Sequence, residues 1–264
     1  MKAMILAAGL GTRLRQLTDD SPKALVTVAG RTLLEIALCR LRSFGVREVI
    51  VNTHHYAGMI ADYLRAHDNF GMRIEISREE ELLDTGGGLK NAAHFFAASG
   101  SDEEPFILHN VDVISSIDLG RMMRFHTERS ALATLAVQDR ATSRCLLFDE
   151  QEQLCGHRTG GSLKAESSND EARNAEDGKV EWARPAREAQ ALAFSGIHVI
   201  SPRLFAKMEE EGAFSIIATY MKLAAQGEKI IAFRADECYW RDLGRPESIL
   251  EAAQDMVSGK YSIT

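Results

Sequence analysis

Six residues near the start of the chain, Gly9-Leu10-Gly11-Thr12-Arg13-Leu14, follow directly on a short apolar run from Lys2 to Ala7. Glycines at such a point let the backbone come close to a phosphate chain, and the N–H groups of the loop are donors for it. Two phosphate-binding templates can be tested against this segment. A dinucleotide fingerprint requires a third glycine where Leu14 stands and an acidic residue at the end of the second strand, which here is Asn52; it fails twice. The Walker loop requires Gly-Lys-Ser/Thr at its end, and none is present. Downstream comes Ser21-Pro22-Lys23-Ala24-Leu25, where proline fixes the backbone and one lysine is presented. A lysine beside an anion-binding loop is a compact point charge for a phosphate. Taken singly, the glycine segment is equally a tight turn and the lysine a solvated charge, but the combination is distinctive.

The elements that must position these residues alternate strand and helix. Lys2 to Ala7 reads as a buried parallel strand. A helix from Thr32 to Phe44 places Leu33, Leu34, Ala37, Leu38 and Leu41 on one face, and Gly45 closes it. Strands are predicted at Glu48 to Asn52, Met72 to Ser77 and Phe106 to Asn110. Helices are predicted at Tyr56 to Ala66 and Gly88 to Ala98. This order predicts an α/β fold: a doubly wound, mostly parallel, Rossmann-like mixed sheet with helices on both faces. In the second half, Leu132 to Val137, Cys145 to Phe148, Ala191 to Ile200 and Lys229 to Arg234 read as strands. Helices are expected after Ser201-Pro202, around Ser215 to Gln226, and from Pro246. The polar stretch from His157 to Gln190 reads as an exposed, partly mobile insertion, with a short hairpin or helix allowed. One domain over residues 1–264 is expected, with 157–190 inserted in it.

The 264 residues include 31 Lys+Arg and 38 Asp+Glu, a net charge of −7. So acidic a balance argues against general nucleic-acid or anionic-membrane binding. No apolar run approaches the roughly 18 residues that span a bilayer. Met1 to Ala8 is too brief an apolar core for a signal peptide and runs into Gly9 without a cleavage pattern. The four cysteines lack Cys-x-x-Cys pairing, and the histidines show no metal-ligand spacing, so a zinc site is not indicated. A cytoplasmic location is expected.

The Gly9–Leu14 and Pro22–Leu25 segments together resemble the nucleotidyltransferase family that makes nucleoside-diphosphate sugars, with its G-x-G-T-R-L followed by P-K-x-L. The resemblance continues in family order through Asp84-Thr85-Gly86-Gly87-Gly88, Asn110-Val111-Asp112, Phe194-Ser195-Gly196-Ile197 and Trp240-Arg241-Asp242-Leu243-Gly244. It implies attack by a sugar 1-phosphate oxygen on the α-phosphorus of a nucleoside triphosphate, with release of pyrophosphate. Such a displacement needs positioning and charge neutralisation more than a covalent nucleophile. The catalytic residues so implied are Arg13, Lys23, Asp112 and Asp242. Asp112 and Asp242 are the implied ligands of Mg²⁺, a cation that takes oxygen ligands and keeps phosphates in its shell. Nucleotide binding falls to Ala7, Ala8, Gly9, Gly11, Thr12, Arg13, Lys23, Gly86, Gly87 and Asn110, with the glycine loop over the base. Ser195 and Gly196 fall to the acceptor sugar. Trp240 is expected beneath the metal loop.

Within the family the length, the Thr-Gly-Gly-Gly loop and the Phe-Ser-Gly-Ile strand are most similar to N-acetylmuramic acid 1-phosphate uridylyltransferases. Mannose- or heptose-1-phosphate guanylyltransferases are the alternative, as is a non-catalytic relative that binds nucleotide or sugar phosphate. Two departures stand out. The middle residue of Asn110-Val111-Asp112 is usually small, and valine there adds bulk near the expected ribose and acceptor sites. The Glu-Lys pair that many relatives carry upstream of the Ser-Gly strand is missing, which leaves Arg184 and Arg187 as replacements for the acceptor-phosphate clamp.

Overall fold

Ala3, Met4 and Ile5 are all fully buried, so the strand that holds them needs cover on both faces. The computed structural model describes residues 1–97, 104–160 and 178–262. In chain order the strands are β1 (Lys2–Leu6), β2 (Thr27–Val28), β3 (Arg31–Thr32), β4 (Glu48–Thr53), β5 (Arg73–Arg78), β6 (Phe106–Asn110), β7 (Val113–Ser115), β8 (Ala133–Gln138), β9 (Arg144–Phe148), β10 (Leu154–Thr159), β11 (Lys179–Trp182), β12 (Gln190–Ile200), β13 (Ile230–Arg234) and β14 (Trp240–Asp242). The helices are α1 (Leu33–Ser43), α2 (Ala57–Ala66), α3 (Asp84–Asn91), α4 (Ala93–Ala97), α5 (Leu119–Arg129), α6 (Ile216–Ala225) and α7 (Pro246–Val257).

A ten-stranded sheet runs β11-β10-β9-β12-β6-β1-β4-β5, with β8 paired to β12 and β13. The neighbours β5, β4, β1 and β6 are all parallel. Beyond them β12 runs antiparallel to β6, β8 and β9, so the sheet is mixed and the parallel part is confined mainly to its first half. Side chains alternate between two cores. Ala3 and Ile5 face one, with Leu38 of α1, Ile60 of α2 and Ala252 of α7. Met4 and Ile50 face the other, with Leu89 of α3, Phe96 of α4 and Tyr220 of α6. Helices therefore cover both faces, as the strand-helix order predicts.

Local chemistry sets the element ends. The Thr32 hydroxyl accepts from the Glu35 N–H at 3.0 Å and starts α1. At its other end Gly45 has φ +84°, its N–H donates to Arg42 O, and the Val46 N–H donates to Leu41 O. That is the double closure an L-residue at Gly45 would strain.

The polar stretch is more ordered at its ends than its composition predicts. His157–Thr159 belong to β10, and Lys179–Trp182 form β11 antiparallel to it. This antiparallel pair takes the hairpin option that the sequence left open, since backbone pairing needs no large apolar side chain. Residues 183–189 are bends and loop without regular structure, as expected, and residues 161–177 lie outside the described residues. The strand β7 and the helix α5 were not foreseen, whereas β14 ends at Asp242, where a strand end was expected. β7 and β14 pair only with each other, and each is three residues long, too short for a period to show.

Candidate functional site

The carboxyl ends of the parallel strands build the site. Leu6, the last residue of β1, is flanked by Asn52 of β4 and Asn110 of β6. This is the edge at which open α/β sheets bind ligands. The Asn52 amide is nearly fully buried; its Oδ1 accepts from the Ala7 N–H at 2.7 Å, and its Nδ2 donates to Glu79 Oε1 at 2.7 Å. The second Glu79 oxygen accepts from the Leu83 N–H at 3.0 Å. The glycine loop thus leaves β1 anchored through Asn52 to the segment before α3. Among the described residues the N–H groups of Ala8, Gly9, Leu10 and Gly11 have no protein acceptor, which leaves four donors for an anion.

Lys23 and Asp112 meet here. Lys23 follows Pro22 on a single helical turn, Asp112 occupies the turn between β6 and β7, and their side chains form an ion pair. Asp242 arrives from the far end of the chain because β14 pairs with β7, opposite Val113. The Leu243 N–H donates to the Asp112 carbonyl at 2.8 Å, locking the two acid-bearing turns together. Asp242 Oδ1 accepts from the Gly244 N–H at 2.6 Å. Gly244 leaves room for two groups: a Cβ there would lie 2.5 Å from Arg13 Nη2 and 2.7 Å from Asp242 Oδ1. Arg13, Lys23, Asp112 and Asp242 are therefore brought to one place.

Two cavities open on this cluster. One, of about 460 Å³, is lined by Ala8, Gly9, Lys23, Asp84, Thr85 and Asp112 among others. The second, of about 1080 Å³, is lined by Arg140, Trp182, Gly196, Trp240 and Asp242 among others. Asn110 is part of both walls. Gly196 sits where β12 shifts register and changes partners. Its φ of +72° and the 2.9 Å from its ideal Cβ to Asn110 Nδ2 both require glycine.

Several expected residues also make contacts of their own. Gly86 and Gly87 belong to the first turn of α3, and their N–H groups donate to the Phe214 carbonyl at 2.8 and 3.3 Å. They do not line the smaller cavity; Asp84 and Thr85 do. These glycines permit close packing, for a Cβ on Gly86 would lie 2.5 Å from the Phe214 ring and one on Gly88 2.6 Å from Glu79 Oε1. Ala7 is likewise buried, and its N–H is taken by Asn52. Thr12 and Arg13 line a separate open groove beside α7. Ser195 is fully buried; among the described residues its hydroxyl has no partner, and its carbonyl accepts from the Trp240 indole N–H at 2.8 Å. Val111 is 4% exposed and joins the core under the loop, although it also edges the smaller cavity. Arg184 is bound to Asp149 at 2.5 Å and to the Leu154 carbonyl at 3.1 Å. Arg187 is exposed, and neither arginine lines the larger cavity.

Sequence reasoning missed Asn52, Glu79 and Arg140. Glu79 is one of three consecutive glutamates, and only the fold shows that it alone of them is buried. Arg140 lies over the Trp240 ring, its Cζ 3.6 Å from the ring centroid, and its Nη2 donates to the Phe194 carbonyl at 2.9 Å. Burial pushes its guanidinium down to about 10, while Asp242 nearby favours the charged form. It stays a cation at neutral pH.

A divalent cation fits the donor set. Among the described residues no group of three or more His, Cys, Asp and Glu side chains is placed to hold a metal. Two carboxylates on turns joined by a hydrogen bond suit Mg²⁺, which completes its shell with water and substrate phosphates. No helix among the described residues is long and apolar enough to cross a membrane.

Comparison with known proteins gives this arrangement its family. Residues 2–144 match the family model described as nucleotidyl transferase. The chain is 35% identical over 253 residues to the N-acetylmuramate alpha-1-phosphate uridylyltransferase of Caulobacter vibrioides, covering 95% of this chain and 94% of that one. It is 27% identical to the mannose-1-phosphate guanylyltransferase of Mycobacterium tuberculosis, covering 97% of this chain but 65% of that longer protein. Its fold is similar to the crystal structure of HddC from Yersinia pseudotuberculosis complexed with GMP-PN, with a TM-score of 0.70, 21% identity, and coverage of 97% and 99% of the two chains. The inositol-1-phosphate CTP transferase of T. maritima gives a TM-score of 0.71 at 14% identity, with 98% and 96% covered. With a family match over more than half its length and a 35% identical relative along nearly all of it, the chain belongs to the nucleotidyl transferase family, as an enzyme of the sugar-1-phosphate type.

Proposed function

We propose that the protein transfers a uridylyl group from UTP to N-acetylmuramic acid 1-phosphate. One observation carries the reading of the site: two cavities share Asn110, with Asp112 on the wall of one and Asp242 on the wall of the other. A nucleotide in the smaller cavity and a sugar phosphate in the larger would meet at that wall. The choice of uracil and of this sugar is supported by the similarity to the C. vibrioides enzyme along 95% of the chain.

In the proposed reaction an acceptor phosphate oxygen forms a bond to the α-phosphorus, the bond to the β-phosphate oxygen breaks, and pyrophosphate leaves with that oxygen. The free N–H groups of Ala8 to Gly11 receive phosphate oxygens of the nucleotide. Lys23 releases Asp112 and turns to the α-phosphate, and Arg13 neutralises the departing β- and γ-phosphates. Asn110, at the shared wall, holds the two substrates in register. Asp112 and Asp242 would hold Mg²⁺. That ion would offset the charge that builds on the attacked phosphoryl group.

Pyrophosphate release with Mg²⁺ tests this, across UTP, GTP, dTTP, CTP and ATP against N-acetylmuramic acid, mannose, glucose and N-acetylglucosamine 1-phosphates. Turnover restricted to UTP and N-acetylmuramic acid 1-phosphate is expected. Preference for GTP with mannose 1-phosphate would replace the uridylyl reading by a guanylyl one. Saturable nucleotide binding without turnover on any pair would make the protein a binding relative.

A further inference from the structure

The larger cavity carries a fixed cation that none of the steps above uses. Of the basic residues on its wall, Lys222 is tied to Glu209 at 2.8 Å, and Arg144 is exposed. Arg140 differs from both. Its guanidinium lies over the Trp240 ring, Nη2 is anchored on the Phe194 carbonyl, and Nε is buried with no partner among the described residues. Among the described residues only Nη2 finds a protein acceptor. A desolvated cation with so few acceptors is costly, and an anion in the cavity removes that cost. The anchoring also fixes the fork in advance, so little side-chain freedom remains to be lost on binding. Trp240, over which Arg140 lies, is two residues before Asp242 on β14, and all three line this cavity, so Arg140 stands on the part of the wall that carries the acid.

We infer that Arg140 binds the 1-phosphate of the acceptor sugar, with Trp240 as the positioning residue that holds its fork. The inference rests on the function proposed above and deepens it. It assigns the acceptor phosphate to the residue beside Asp242 rather than to Arg184, which the fold commits to Asp149. A phosphate is favoured over a carboxylate on the sugar because the group nearest the acids has to be the one that reacts.

The test compares Arg140→Gln and Arg140→Lys with the unsubstituted protein. Arg140→Gln is expected to raise the KM for the sugar 1-phosphate about 10- to 100-fold and leave that for UTP unchanged. Arg140→Lys keeps the charge without the fork and is expected to recover part of the loss. Calorimetric titration with N-acetylmuramic acid 1-phosphate and with N-acetylglucosamine 1-phosphate, which lacks the lactyl carboxylate, separates the two anions. Equal weakening of both supports the phosphate; weakening confined to the first assigns Arg140 to the carboxylate and overturns the inference. A normal acceptor KM in a folded Arg140→Gln protein overturns it as well, leaving the proposed function standing. If the glutamine variant does not fold, the lysine variant decides: no change in acceptor KM refutes the assignment. Lack of turnover by the unsubstituted protein on every pair refutes the proposed function and this inference with it.

Discussion

Gly244→Ala perturbs the proposed active centre by a single methyl group. Gly244 is buried behind Asp242 and has no left-handed φ, so the backbone accepts alanine. The added Cβ, however, falls 2.5 Å from Arg13 Nη2 and 2.7 Å from Asp242 Oδ1. Ordinary contacts between such atoms lie near 3.5 Å, so each group must retreat by about 1 Å. Arg13 is exposed and can swing away cheaply, whereas Asp242 is held by the Gly244 N–H itself at 2.6 Å. Misplacing reacting groups by about 1 Å costs on the order of 100-fold in rate, or about 2.7 kcal/mol of transition-state stabilisation. Pyrophosphate release is therefore expected to fall about 100-fold in kcat/KM, with a modest loss of stability from overpacking of about 1–3 kcal/mol at most. The assay is steady-state turnover alongside a melting curve. Turnover close to that of the unsubstituted protein would show that neither Arg13 nor the present position of Asp242 matters to the reaction. Gly45→Ala is the control: its φ of +84° makes alanine strained. It should cost about 1 kcal/mol of stability and no activity.

Asp112→Ala and Asp242→Ala are each expected to abolish turnover while the far-ultraviolet dichroism stays native, because each would remove one of the two carboxylates proposed to hold the metal; near-normal activity in either removes that residue from the proposed metal site. Asn52→Leu leaves the Ala7 N–H and a Glu79 oxygen buried without partners, and denaturant titration should show a loss of about 2–4 kcal/mol. Stability should also fall with acid. Burial holds His109 at about 4 and His198 at about 3, below the ordinary value near 6.5, so the unfolded chain binds more protons between those limits. Stability is thus full above pH 6.5 and declines as the pH drops toward 4, with a slope approaching about 1.4 kcal/mol per pH unit for each histidine. His198→Gln, which can keep the bond to Tyr220, should reduce that slope, and an unchanged slope would remove His198 from the effect.

The longer strands and helices up to β6 were legible because each carries its own pattern. The consecutive buried residues of β1 and the one-sided helix α1 declare themselves without reference to the rest of the chain. The same holds for Thr32 and Gly45, whose capping chemistry is local. Gly9–Leu14, Lys23 and Asp112 were recognisable as a family pattern, and the structure brings Arg13, Lys23, Asp112 and Asp242 together. The Gly86-Gly87-Gly88 run has a second physical reason to be glycine. Glycine is required equally where a ligand approaches and where another backbone does, and here it is the Gly212–Phe214 segment that approaches.

By itself the amino-acid sequence determined the alternation of the longer strands and helices, the parallel start of the sheet and the identity of the four charged residues at the proposed centre. All of these are written in short-range spacing or in motif order. Tertiary structure alone decided that β14 lies on β7, so that Asp242 reaches Asp112. It also decided that Glu79 and not its two neighbours is buried with Asn52, and that Arg184 is committed to Asp149 while Arg140 faces the larger cavity. Each of these outcomes joins residues far apart in the chain, and no local preference distinguishes one arginine or one glutamate from the next. Packing chooses among them, because only the folded chain determines which charge loses its water and which partner it then meets.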